Sequence, residues 1–71
     1  MQETRQMGDT VFELRTYRSG LSDWNWEVTH RRAESDEAAK IHGVGHLGFL
    51  EEKDAFEAGQ QHLGRLLAGE V

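Results

Sequence analysis

The chain has 71 residues, of which 37% are hydrophobic and 30% are charged, with 13 Asp and Glu against 8 Lys and Arg and no Cys or Pro. A chain this short buries only about 60% of the surface that it exposes when unfolded, which leaves one small core and excludes a cleft between two lobes. The lack of Cys excludes a disulfide framework, a thiolate zinc site and a cysteine nucleophile.

The first nine residues are mostly polar, and we expect them to form a flexible N-terminal tail ahead of a single domain at residues 10–71. They lack the apolar run of a signal peptide, and no stretch of the sequence approaches the roughly 20 apolar residues of a membrane span. We therefore expect a cytoplasmic protein that does not contact a membrane.

Two stretches, residues 10–18 and 24–31, alternate between apolar and polar side chains as half-buried β-strands do. The residues between them include Gly, Ser and Asp, which favour a turn, so the pattern predicts a hairpin. The second strand has the cleaner alternation, with Trp24, Trp26 and Val28 on one face.

A polar, acidic connector at residues 33–40 follows the hairpin. Residues 41–49 contain three glycines, too closely spaced for a stable helix, which indicates a third, bulged strand. From about Glu51 to Ala68 the apolar positions recur with a helical period. The predicted class is α+β, with a three-stranded antiparallel sheet (the hairpin plus the third strand) packed against one C-terminal helix.

The residues expected in the core are Phe12, Leu14, Trp24, Trp26, Val28, Ile41, Leu47, Phe49, Phe56, Leu63, Leu66 and Leu67. One helix covers only one face of such a sheet, so the other face, or a sheet edge, is left to solvent or to a partner. A structural homodimer is therefore one alternative for this chain.

Two motifs suggest cofactors, but their contexts do not fit. The run from Gly43 to Gly48 matches G-x-G-x-x-G, yet too few residues follow for a return strand, and the acidic residues beyond it would repel phosphate. His42 and His46 are four residues apart, which on an extended strand separates them by about 13 Å, too far to share a metal ion. We expect neither a cofactor nor a metal.

We also expect no enzymatic activity. A nucleophilic Ser or Thr needs an adjacent base that a third group orients, and Ser19 and Ser22 have no His near them in the sequence. Carboxylate pairs need a cleft that perturbs their pKa values, which so small a domain rarely forms.

The hairpin offers a surface for nucleic acid as an alternative function. Arg15, Tyr17 and Arg31 lie on the face of the hairpin opposite the tryptophans, where an aromatic ring between cations could stack a base and contact phosphates. The net charge of −5 opposes direct binding unless this half of the chain alone makes the interface.

The negative charge is concentrated in the second half of the chain. Residues 1–32 are neutral, whereas residues 33–71 have three basic and eight acidic side chains. We expect seven of the acidic residues to form one anionic surface that occupies a basic groove in place of phosphates. These residues are Glu34, Asp36, Glu37, Glu51, Glu52, Asp54 and Glu57.

Residues 24–28 (WNWEV), the Gly48-Phe49 pair and residues 51–59 (EEKDAFEAG) together resemble short bacterial and phage domains and, more distantly, the arm-type DNA-binding domain of tyrosine integrases. The integrase resemblance implies three strands, a C-terminal helix and DNA reading by the sheet. In size and acidity the chain also resembles the anti-CRISPR proteins, phage-encoded inhibitors that in many cases bind nucleic-acid-handling machinery through acidic surfaces.

Our leading hypothesis is a non-enzymatic inhibitor that blocks a basic nucleic-acid-binding partner, such as a CRISPR effector. It would act in the host cytoplasm if a phage encodes it. The alternatives are a small nucleic-acid-binding regulator that uses the hairpin face and the homodimer.

Overall fold

The structure is a computed structural model that describes residues 1–18, 20, 23–45 and 48–69. Within these residues, four antiparallel strands lie in the sheet in chain order, and one C-terminal helix packs on the two central strands. The elements are β1 (Gln2–Met7), β2 (Thr10–Arg18), β3 (Trp24–Arg32), β4 (Lys40–Val44) and α1 (Glu52–Leu67). The α+β class and the helix on an antiparallel sheet are confirmed.

The predicted number of strands was wrong, because residues 2–7 of the expected tail form β1. This strand pairs with β2 from Gln2 opposite Arg15 to Met7 opposite Thr10. Gly8 is the first residue of the short loop between them, with φ of 61°, a left-handed conformation that favours glycine. Five of the six residues of β1 are polar, and Met7 at its end is the exception, so the strand has no alternation of apolar and polar residues that would reveal it in the sequence.

The core lies between the sheet and α1. Leu14 of β2 and Val28 of β3 are directly opposite each other and fully buried, and Leu63 of α1 covers them. The buried members of this cluster are Phe12, Leu14, Trp26, Val28, Leu63 and Leu66, and Phe49, Phe56 and Leu67 pack against it with partial burial. Of the predicted core residues, Trp24 is half-buried and Leu47 lies outside the described residues.

Ile41 was placed in the core by the sequence, and this was wrong: 63% of its surface is exposed. The pairing of β3 with β4 shifts between Val28 and Thr29, where a bulge puts Gly43 opposite Val28 and Ile41 opposite Thr29. Residues opposite each other point to the same side, so the bulge turns Ile41 to the face that α1 does not cover.

Glycine allows α1 to lie close to the sheet. A Cβ atom added at Gly59 would lie 2.3 Å from Cδ1 of Leu14 and 3.1 Å from Cβ of Trp26. The helix ends at Leu67, followed by Gly69 with φ of 77°. Among the described residues, no helix combines the length and the hydropathy that crossing a membrane requires.

The sheet has two ends, which organise the charged residues. At the helix-start end, Arg18 pairs with Trp24, and the first turn of α1 reaches Thr16. At the connector end, Thr10 pairs with Arg32, and the segment from Ala33 to Ala39 begins. The backbone N–H of Ala33 donates to the carbonyl of Asp9 (2.8 Å), which fixes the connector beside the β1–β2 turn.

Candidate functional site

The seven acidic residues expected to form one surface lie at both ends of the sheet. Glu34, Asp36 and Glu37 belong to the connector end, whereas Glu51, Glu52, Asp54 and Glu57 belong to the helix-start end. Between Thr10 and Thr16, which mark these ends on β2, six residues of strand span about 20 Å. The two groups are therefore separate patches and do not form the single anionic surface that the sequence predicts.

Glu52 differs from its acidic neighbours because it is bound within the protein. Its Oε2 accepts hydrogen bonds from the N-terminal ammonium of Met1 (2.5 Å) and from the hydroxyl of Thr16 (2.6 Å). These two contacts lower the pKa of the Glu52 carboxyl below its usual value. Glu52 thus fastens the start of α1 to the sheet, and its charge is already compensated.

The helix-start cluster, which we define as Glu51, Asp54 and Glu57, is uncompensated. Among the described residues no ion pair involves any of the three, and only Lys53 supplies a positive side chain within this stretch of the helix. Glu51 and Glu57 are exposed, and Asp54 is partly exposed. Spacings of three residues put successive members about 5–6 Å apart between Cβ atoms, on one side of the helix.

Two of the three acidic residues at the connector end line a groove of about 540 Å³. Glu34 and Glu37 contribute to it, together with Asp9, Arg32 and Ser35. The hydroxyl of Ser35 accepts a hydrogen bond from the backbone N–H of Glu37 (3.1 Å), which shapes the connector. This groove is mixed in charge, in contrast to the helix-start cluster.

The residues proposed for nucleic-acid binding share the open face of the sheet but do not form a cluster. Nε of Arg15 donates to Oε1 of Glu27 at 2.9 Å, so this cation is paired. Tyr17 is half-buried near the helix-start end. Arg31 is exposed near the connector end, opposite Val11. It lies four residues, about 13 Å, along β3 from Glu27, the residue opposite Arg15.

Three histidines from three different elements meet beside the core, and the sequence analysis missed this arrangement. The ring of His42 lies 5.4 Å from that of His30 and 5.8 Å from that of His62. The His62 ring also lies 5.0 Å from the Trp26 ring. The sequence drew attention to His42 and His46 instead, and His46 lies outside the described residues.

His62 is the most perturbed of these histidines. Its Nε2 is buried and has no hydrogen-bond partner among the described residues. Burial lowers the pKa of His62, and electrostatic repulsion from His42 and Arg65 lowers it further. The neutral imidazole is therefore the form that fits the folded protein.

The described part of the chain contains no group of three or more His, Asp or Glu side chains arranged to hold a metal ion. Searches against protein-family models, curated proteins and solved structures found no match to the chain.

Proposed function

We propose that this protein is a non-enzymatic binding protein whose helix-start cluster docks on a basic, nucleic-acid-binding surface of a larger partner. The observation that supports it most directly is the contrast within the first turns of α1. Glu52 is compensated by contacts inside the protein, whereas Glu51, Asp54 and Glu57 have no ion pair among the described residues.

The helix presents these carboxylates in a fixed arrangement. From Glu51 to Glu57 the helical rise is about 9 Å, and the whole helix is held to the sheet through Gly59 and Leu63. A cluster that is ordered before binding loses little conformational freedom when a partner engages it. Complementary charge then speeds association and orients the two proteins, which suits a competitor of nucleic acid.

The class of inhibitor that best matches this proposal is the anti-CRISPR type, and its target would be a basic nucleic-acid-handling protein such as a CRISPR effector. Direct nucleic-acid binding by the open sheet face has less support, because Arg15 is paired with Glu27. Three carboxylates on one helix favour a protein partner with exposed Lys and Arg over a nucleic acid.

Two triple variants of equal net charge test the proposal. The first changes Glu51, Asp54 and Glu57 to Lys, and the second, as a matched control, makes the same change at the three acidic positions of the connector: Glu34, Asp36 and Glu37. Glu52 is left intact in both, since it fastens α1 to Thr16. Circular dichroism of both variants establishes that they remain folded.

Each immobilised protein is incubated with a nuclease-treated extract of the native host, first at about 50 mM and then at about 300 mM salt. The higher salt concentration shortens the electrostatic screening length to well below 10 Å. We expect the wild type and the connector variant to retain the same basic protein, which added duplex DNA or higher salt releases. The helix-start variant should lose it. Equal retention by all three proteins, or equal loss from both variants, would contradict the proposal.

A further inference from the structure

A second charged surface, at the connector end, has the opposite character from the helix-start cluster. It is a groove of about 280 Å³ whose polar lining comes from Thr10, His30, Arg31, Arg32 and Lys40, with Glu37 at its side. Three of the eight Lys and Arg residues of an acidic chain thus surround one small cavity.

The strand register explains how these residues come together. Thr10 is opposite Arg32, and His30 is opposite Lys40, so all four point to the same side of the sheet as α1. Arg31, the next-to-last residue of β3, lies on the other face of the sheet and also lines the groove. The end of one strand and the start of the next therefore supply the cations.

The positive charge of this groove is not used inside the protein. Within the ranges that the structure describes, no hydrogen bond or ion pair involves the side chain of Arg31, Arg32 or Lys40, and the ion pairs present there use Met1, Arg5 and Arg15. Like charges held near one another repel, and an anion between them relieves that repulsion. The planar guanidinium groups suit a phosphate, whose oxygens they can bind in pairs.

The acidic groove adjoins this cavity, because Arg32 and Glu37 line both. Asp9 and Glu34 line the acidic groove only. A long polyanion crossing the groove would meet these carboxylates, which disfavours a nucleic acid. A small molecule with an anionic and a cationic end matches both halves.

We propose that the groove binds a small phosphate ester that also contains a protonated amine. The phosphate lies among Arg31, Arg32 and Lys40, with the Thr10 hydroxyl as a further donor, and the amine points toward Asp9 and Glu34. The cavity of about 280 Å³ lies just below the usual range of about 300–1,000 Å³ for ligand sites, which fits a ligand of this size. This site is separate from the helix-start cluster and does not depend on its function.

The test is a titration of the protein, followed by amide NMR shifts, at constant ionic strength. The probes are phosphoethanolamine, inorganic phosphate and ethylamine. We expect phosphoethanolamine to shift residues 9–10 and 30–40 and to bind about tenfold more tightly than inorganic phosphate, since the second charged contact adds to the first. Equal affinities for the two phosphates, or shifts scattered over the protein, would overturn the proposal.

Variants at exposed positions separate the two halves of the groove. Arg32→Gln combined with Lys40→Gln should weaken phosphoethanolamine binding by about tenfold or more, whereas Lys53→Gln, a cation on α1 outside the groove, should not change it. Glu34→Gln should reduce the preference for phosphoethanolamine over inorganic phosphate, since only Asp9 then faces the amine, without weakening the binding of inorganic phosphate. An unchanged affinity in the double variant, or an unchanged preference in Glu34→Gln, would overturn the assignment.

The same chemistry occurs free in solution and as a lipid headgroup, and two further probes distinguish these sources. Vesicles of phosphatidylcholine with and without phosphatidylethanolamine are sedimented with the protein. Sedimentation of the protein only with vesicles that contain phosphatidylethanolamine identifies the lipid headgroup as the ligand. If the protein binds phosphoethanolamine in solution but does not sediment with these vesicles, the ligand is the free ester. A short DNA oligonucleotide that binds the same residues more tightly than phosphoethanolamine would contradict a small ligand.

Discussion

The close approach of α1 to the sheet at Gly59 leads to the sharpest prediction about stability. Replacing glycine by alanine in a helix interior ordinarily stabilises it by about 1 kcal/mol. At Gly59 the new Cβ would lie 2.3 Å from Cδ1 of Leu14, closer than atoms in contact can approach. Leu14 is fully buried and Trp26 is nine-tenths buried, so neither side chain can move aside into solvent. We expect Gly59→Ala to destabilise the protein.

Gly64 provides the matched control in the same helix. Among the described residues, and apart from the two flanking residues and the backbone of the helix itself, no atom lies within 4 Å of a Cβ placed there, so Gly64→Ala gains helix propensity without steric conflict. Both variants gain the same helix propensity from the change of glycine to alanine. The difference between their free energies of unfolding therefore isolates the cost of overpacking at Gly59, which is about 1–3 kcal/mol. We expect Gly64→Ala to be more stable than the wild type by about 0.5–1 kcal/mol, with Gly59→Ala below it by that difference.

Urea unfolding followed by tryptophan fluorescence measures both variants, because Trp26 lies at the contact. The free energies come from midpoints at a common slope. If Gly59→Ala stabilises the protein as much as Gly64→Ala does, the helix does not pack against Leu14 as closely as described, and the reasoning fails. A further variant, Gly59→Val, should then be tolerated as well, whereas close packing predicts a larger loss.

Three further predictions concern pH, the core and β1. Because burial lowers the pKa of His62 below 6.5, the unfolded chain takes up a proton that the folded protein does not. The free energy of unfolding should therefore not depend on His62 above pH 6.5. Below that pH it should fall by at most about 1.4 kcal/mol per pH unit, until the pKa of His62 in the folded protein is reached. Urea midpoints measured across this range should show the decrease, and His62→Gln should reduce it. Leu14→Ala should cost about 2–5 kcal/mol in urea unfolding, since it opens a cavity between β2 and α1, and a loss below 1 kcal/mol would contradict its place in the core. Removal of residues 1–7 should lower both the urea midpoint and its slope, because β1 buries part of β2, and unchanged values would mean that β1 adds no stability.

The elements that the sequence predicts well are those with an apolar period. β2 occupies residues 10–18 as expected, and β3 begins at the predicted Trp24, because their alternation reflects burial on one face. The helix likewise follows its stripe of apolar residues. β1 has no such stripe: its side chains are polar except that of Met7, and backbone pairing with β2 supplies its structure. Sequence patterns cannot reveal a strand whose stabilisation is mostly in the main chain.

The candidate sites illustrate a second limit, which concerns three-dimensional placement. The excess of negative charge in residues 33–71 is evident from the sequence. The sequence does not show that the two acidic groups lie at opposite ends of the sheet, because their placement depends on the path of β4 and α1. A bulge at Val28 and Thr29 was enough to move Ile41 from one face to the other. The meeting of His30, His42 and His62 depends on the same packing and has no signature in the spacing along the chain.

The separation of charge by about 20 Å makes the two proposals independent of each other. Reversal at Glu51, Asp54 and Glu57 leaves the connector groove intact, and neutralising Arg32 and Lys40 leaves the helix-start cluster intact. At physiological salt the screening length is about 8 Å, so a change at one end contributes little potential at the other. Partner binding that responds only to the first set, together with phosphoethanolamine binding that responds only to the second, would establish two sites on one small domain. Loss of both activities in either set would instead indicate that the variants act through the stability of the sheet that joins the two ends.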